Sequence, residues 1–201
     1  MPVIAIVYYS AQGHTHDIAT AITEGAGSQA GTTVSLIRLQ DADIQNGRWK
    51  NDAQVATLNA ADCIVFGTPT YMGGYSAQMK TFIDGCAGIW FKQGWKNKLA
   101  AAFTHSQGLS GDKLNTLNGL FINAMQHGMA WVGNSILPEG DKPDNLNRLS
   151  SWRDPPRHQL AIGRRQPDWL GCDIGIDPIF GNRLDRVDLK WIFPQPHPIW
   201  R

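Results

Sequence analysis

VIAIVYYSAQGHTHDIATAITEG, residues 3–25, changes its hydrophobic period halfway along, and that change decides the fold. Residues 3–9 are continuously apolar, too few for a core helix and rich in β-branched and aromatic side chains. This is the pattern of a strand buried on both faces of a parallel sheet. From His14 onward Ile18, Ala19, Ile22 and Ala26 recur at helical spacing. Residues 10–15 are therefore the turn that ends a strand and opens a helix. The unpaired N–H groups at such a helix start, with the positive end of the helix dipole, favour a phosphate even without a Lys or Arg nearby. Gly13 allows close backbone approach, and the Ser10 and Thr15 hydroxyls can each donate to a phosphate oxygen. The competing reading is an ordinary turn with Thr15 as the helix cap. Neither GK[ST] nor GxGxxG is present, so a nucleoside-triphosphate loop and a dinucleotide fingerprint are excluded, and a lone phosphomonoester remains.

The alternation continues along the chain. Strands are expected at residues 33–39, 63–66, 99–103 and 129–136, with helices at 52–60, at about 77–90 and after the segment THSQGLSG. Met79, Phe82, Ile83 and Cys86 share one side of the helix at 77–90. Leu114, Leu117, Leu120, Phe121 and Met125 keep helical spacing in the last helix. Alternating strands and helices predict an α/β domain with a parallel sheet covered on both faces. Ligands of such sheets bind beyond the carboxyl ends of the strands, where the strand order reverses. The loops after the first, third and fourth strands would meet there.

Composition narrows the function. A formal charge of +1 leaves no electrostatic footprint for nucleic acid, and it is not the strongly acidic balance of a steered electron carrier. No apolar run approaches the roughly 18 residues of a membrane span, and MPVIAIVYYS lacks the features of a signal peptide, so cytoplasmic residence is expected. Cys63, Cys86 and Cys172 are odd in number and far apart, which argues against a disulfide framework and against a CxxC pair, and they read as packing thiols.

The second loop contains Thr68, Pro69, Thr70, Tyr71, Met72, Gly73 and Gly74. Its proline, glycines and hydroxyls let the backbone lie against a flat polar ring while Tyr71 or Met72 covers a face, although a plain loop with a helix cap has the same composition. The third loop, with His105, Ser106, Gln107, Gly108, Leu109, Ser110 and Gly111, offers amides and hydroxyls to the other edge of a ring, or is a flexible connection. Taken together, the three loops have the chemistry of a flavin mononucleotide (FMN) site.

The motifs YYSAQGHTHDIA (8–19), GTPTYMGGYSAQMKTFID (67–84), GWKNKLAAAFTHS (94–106) and QHGMAWVG (126–133) resemble the WrbA-type branch of the flavodoxin-like family. The resemblance covers about residues 1–152. It implies a doubly wound sheet of five parallel strands in the order 2-1-3-4-5, FMN as cofactor, and passage of two electrons from NAD(P)H to a quinone by a ping-pong mechanism. It also implies a homodimer or homotetramer. Phosphate contacts are implied for Ser10, Gln12, Gly13, His14 and Thr15, and flavin contacts for Pro69, Thr70, Tyr71, Met72 and Gly73. His105, Ser106, Gln107, Gly108, Leu109 and Ser110 would complete the pocket. Trp90 would line a substrate slot, in some members across a subunit boundary, with Trp95 the weaker candidate. Family members often carry two histidines before Gly-Met, whereas this chain has Gln126 and His127. Gln126 can hydrogen-bond a quinone oxygen but does not titrate as His does, and His127 is either a substrate contact or a helix C-terminal residue. A one-electron flavodoxin carrier and a non-enzymatic FMN-binding protein are the rival functions.

The resemblance stops near Trp152. Residues 151–201 hold seven of the eleven prolines and seven of the ten arginines but only one of the eight lysines, so a long covering helix is ruled out there. Only residues 182–191 could form a short one. This tail is either a native appendage or the product of a shifted reading frame, the abrupt change of composition favouring the second.

Overall fold

The computed structural model describes residues 1–106 and 112–132, and the backbone of Cys172–Ile174. Strand β1 (Val3–Tyr8) is followed by helix α1 (His14–Gly27) and strand β2 (Thr33–Arg38). A 3₁₀ turn (Asp41–Asp43) and a small hairpin, β3 (Ile44–Gln45) with β4 (Arg48–Trp49), lead to α2 (Asp52–Ala60). The rest of the domain comprises β5 (Cys63–Tyr71), β6 (Gly74–Tyr75), α3 (Ala77–Gly85), α4 (Ala87–Phe91), β7 (Leu99–His105), α5 (Lys113–Gln126) and β8 (Ala130–Trp131). The main sheet runs β2-β1-β5-β7-β8, all parallel, which is the expected 2-1-3-4-5 order. One departure is β9 (Cys172–Ile174), which pairs antiparallel with the last three residues of β7, Phe103 to His105. The rest of the tail, including the short helix expected at 182–191 and the Cys172 side chain, lies outside the described residues, as does the fifth strand beyond residue 132.

Residues 4–7 of β1 are completely buried, and their alternation divides the core in two. Ile4, Ile6 and Tyr8 face Ile18, Ala19, Ile22 and Ala26 of α1, the face foreseen from their spacing. Ala5, Val7 and Tyr9 join Leu58, Met79, Phe82, Trp95, Leu120 and Ala124 on the opposite face. Cys63 and Cys86 are buried free thiols, and burial pushes both pKa values up, that of Cys86 to about 12. Among the described residues no helix is long and apolar enough to cross a membrane.

Three elements differ from the sequence reading. Residues 67–71, read as loop, extend β5 along β7 as far as the pair Pro69↔His105. Proline is tolerated there because β1 has already ended at Tyr8↔Gly67, so the side where its N–H would point has no strand to pair with. The helix expected over 77–90 is two helices, because Cys86 (φ −83°, ψ 3°) closes α3 and opens α4. Helix α5 has the expected period but a different inward face. Lys113, Thr116, Leu120 and Ala124 are buried, while Leu114, Phe121 and Met125 are exposed.

Gly67 is a point of close approach within the sheet. A Cβ there would run into the Phe103 ring and lie 2.8 Å from the Tyr8 Cβ. Gly67→Ala is expected to cost about 1–3 kcal/mol, the usual penalty of overpacking, read as a lower urea midpoint at unchanged m-value.

Candidate functional site

The carboxyl ends of β1, β5 and β7 bring the three loops together. In the first, Gly13 is the N-cap of α1 at φ 101°, and a Cβ on it would meet nothing within 4 Å. Backbone conformation, not space, selects glycine here. Ser10 Oγ accepts hydrogen bonds from the N–H groups of Gly13 (3.1 Å) and His16 (3.3 Å), which curls the turn and keeps the Ser10 proton available for donation. The amides of the first helical residues, His14 and Thr15, have no acceptor within the helix. Thr15 is not the cap that one reading made it; it sits inside α1, 1% exposed. The turn was read as independent of any cation, yet Arg38 at the end of β2 donates from Nη2 to the Ser10 carbonyl at 2.7 Å. Gln12 is exposed at the rim. The donors and the open space above Gly13 fit a phosphate.

The second loop is a hairpin. Thr70 pairs with Tyr75 and Tyr71 with Gly74, while Met72 (φ 49°) and Gly73 (φ 78°) form its two-residue turn, both in the left-handed region that a type I′ turn requires. Asn115 of α5 donates from Nδ2 to the Gly73 carbonyl at 2.6 Å. The turn holds Tyr71 (46% exposed) and Met72 (fully exposed) out from the sheet, as covers for a flat ring must be.

Beneath the hairpin lies a buried chain of hydroxyls. Thr104 donates to the Thr68 carbonyl (2.7 Å), and this uses its one proton. Thr70 must then donate to Thr104 (2.8 Å) and accept from Thr116 (2.9 Å). The Thr70 side chain is thus committed to joining β5, β7 and α5.

In the third loop, His105 Nε2 lies 2.8 Å from Thr15 Oγ1, tying this loop to the phosphate turn, and its ring meets that of His14 edge-on at 5.9 Å. Burial, then the neighbouring His14 and Lys113, lowers the His105 pKa to about 4. Lys113, at the first position of α5, is completely buried and donates from Nζ to Ser106 Oγ at 3.0 Å. It was missed in the sequence because a lysine in a polar loop reads as solvated. Gln107, Gly108, Leu109 and Ser110 lie outside the described residues.

Trp90, Gln126 and His127 come together, but at the opposite end of the strands. Gly128 accepts from the Asn97 N–H just before β7 begins, roughly 20 Å from His105 at 3.3 Å per strand residue. With Phe91, Gln93, Lys96 and Met125 they line a cavity of about 220 Å³. Trp90 is half-exposed, whereas His127 is buried with its ring 4.6 Å from that of Trp95. Trp95 itself is core, fully buried and donating to Asn59 Oδ1 at 2.8 Å.

Two outcomes follow. Thr104→Val removes the side-chain donor to the Thr68 carbonyl and leaves the buried Thr70 proton without its acceptor, so a loss of about 1–3 kcal/mol is expected in urea unfolding. His105, with its pKa lowered from 6.5 to about 4, takes up a proton in the unfolded chain before it does so in the folded one. Its contribution is intact above pH 6.5 and is lost as the pH falls toward 4. Apo-protein urea midpoints measured from pH 7 to pH 4.5 should therefore fall more steeply for the unaltered chain than for His105→Asn.

Comparison with known proteins agrees with this geometry. The family model described as NADPH-dependent FMN reductase matches residues 1–141. Flavodoxin FldP of Pseudomonas aeruginosa is 36% identical over 134 residues, 66% of each chain. A protein named NAD(P)H dehydrogenase (quinone) from Chromohalobacter salexigens is 34% identical over 143 residues, 66% of this chain and 71% of its own length. Among solved structures, a WrbA-like flavodoxin from Agrobacterium tumefaciens is 42% identical with a TM-score of 0.58, covering 69% of this chain and 82% of that one. With the family match over residues 1–141 and a 2-1-3-4-5 sheet, the chain belongs to the NADPH-dependent FMN reductase family and is a flavodoxin-like oxidoreductase with FMN as its cofactor.

Proposed function

We propose that this chain carries two electrons from NAD(P)H to a quinone, the two substrates using one slot in turn in a ping-pong sequence. The observation that carries the reading is the convergence of the phosphate turn, the Tyr71–Met72 hairpin and the His105–Ser106 segment at one edge of the sheet. FMN, when bound, supplies the hydride chemistry. The chain supplies position. Ser10, Gly13, His14 and Thr15 hold the phosphate through hydroxyl and amide donors. Pro69, Thr70 and Gly73 present backbone to the ring, and Tyr71 and Met72 shield it from water.

The second substrate needs a wall that these loops do not provide. Trp90 and Gln126 have the chemistry for it, an aromatic face and an amide donor for a quinone oxygen, yet within one chain they lie at the far pole. In a cytoplasmic homodimer or homotetramer they would complete the site of a neighbouring chain. The quinone-named relatives and the near-neutral charge support the enzyme; the relative named a flavodoxin favours a carrier in its place.

Purified protein loaded with FMN is expected to reduce benzoquinone with NAD(P)H, giving parallel double-reciprocal plots. Absence of that activity in yellow, FMN-loaded protein would leave the carrier. Trp90→Ala should lower kcat/KM for quinone about ten-fold, the equivalent of about 1.4 kcal/mol, at unchanged FMN affinity. Mixing it with FMN-free Gly13→Val chains should restore part of the activity if the wall comes from a neighbour.

A further inference from the structure

The start of α5 sets a buried cation, Lys113, beside the exposed carboxylate of its N-cap residue Asp112, which makes no cap hydrogen bond. Lys113 is its first residue and is completely buried. Proteins normally place acidic groups at a helix N-terminus, because the unpaired amides there already carry the positive end of the dipole. A buried lysine in that position adds its charge close to the same pole. Its ammonium is held by Ser106 Oγ at 3.0 Å. Ser106 directly follows His105, the residue bonded to the phosphate turn.

The same helix start touches the second loop. Asn115 bonds the Gly73 carbonyl, and Asp112 lies close enough that a Cβ on Gly73 would be 3.6 Å from it. The first turn of α5 therefore touches both loops, Lys113 reaching the third and its neighbours Asp112 and Asn115 the second. Its field already reaches the site, since it is one of the charges that disfavour the protonated form of His105.

The ring itself changes charge during turnover. Oxidised flavin is neutral, and uptake of two electrons and one proton leaves it with a single negative charge, spread over its pyrimidine end. A fixed cation interacts weakly with the first form and strongly with the second. The phosphate, by contrast, has the same charge in both forms and is served by the amides of α1.

We propose that Lys113, positioned by Ser106 at the N-terminus of α5, stabilises the anionic two-electron-reduced flavin and so sets its reduction potential. Lys113 is a tuning residue for the bound flavin and takes no part in binding the phosphate. The inference rests on FMN binding and is independent of the electron acceptor, so it stands or falls separately from the quinone reading.

The test is an anaerobic spectroelectrochemical titration of the FMN-loaded protein. Lys113→Met keeps the stem and removes the charge, and Lys113→Arg keeps the charge. The Met variant is expected to favour oxidised over reduced FMN about ten-fold more than the unaltered chain does, a midpoint lower by about 30 mV for a two-electron couple. The Arg variant should recover most of the shift. Weaker binding of oxidised FMN at an unchanged midpoint would assign Lys113 to the phosphate and overturn the proposal. If the Met variant does not fold or retain FMN, the unaltered protein decides: a midpoint above that of free FMN supports the assignment, and one below it refutes it.

Discussion

Ile6 stands opposite Val65, and Val65 opposite Ala101, so β1, β5 and β7 run in step through the centre of the sheet. All three side chains are fully buried, as are those directly before and after them in each strand. This packing locks the register, because sliding any one strand by a residue would exchange the two halves of the core. Everything at the carboxyl edge inherits its position from that agreement. The last rung, the Tyr9 N–H on the Gly67 carbonyl at 3.0 Å, releases the first chain into the phosphate turn while β5 and β7 continue side by side. The unequal strand ends open a step in the sheet edge, and the step is where the three loops meet.

The parts legible in the sequence are those governed by period. A short apolar run followed by residues three and four apart defined β1 and α1, since both faces of that strand and one face of that helix are wholly apolar. Residues 67–71 misled because Gly, Thr and Pro are read as turn formers, and nothing local reveals that a neighbouring strand has stopped and left one side of Pro69 without need of a hydrogen bond. For α5 the hydrophobic list pointed to Leu114, Phe121 and Met125, but the inward face carries Lys113 and Thr116, whose polar partners, Ser106 and Thr70, lie outside the helix. Arg38 was missed for the same reason: only the parallel pairing of β2 with β1 places it beside Ser10. The chemical types of the site loops were readable; the separation of Trp90 and Gln126 from them required the path of the chain.

The polar interior beneath the site has a logic of its own. Thr116, Thr70, Thr104 and the Thr68 carbonyl form a chain in which each proton has one destination, so the network has a single satisfied arrangement. An apolar core would hold these elements together as well, but would tolerate small rotations of β5 against α5. Hydroxyls of fixed direction do not, and they lie just below the hairpin that carries Tyr71 and Met72.

Helix α5 begins at the flavin loops and ends at the cavity lined by Trp90 and Gln126. Its 14 residues give it a length of about 21 Å, close to that of the strands it covers. The helix is thus a ruler as well as a cover, joining the pole proposed to hold the cofactor to the pole that carries Trp90. One inserted residue would turn one pole by about 100° relative to the other and shift it by about 1.5 Å. Any assembly that sets Trp90 of one chain against the loops of the next is therefore sensitive to the phase of this helix.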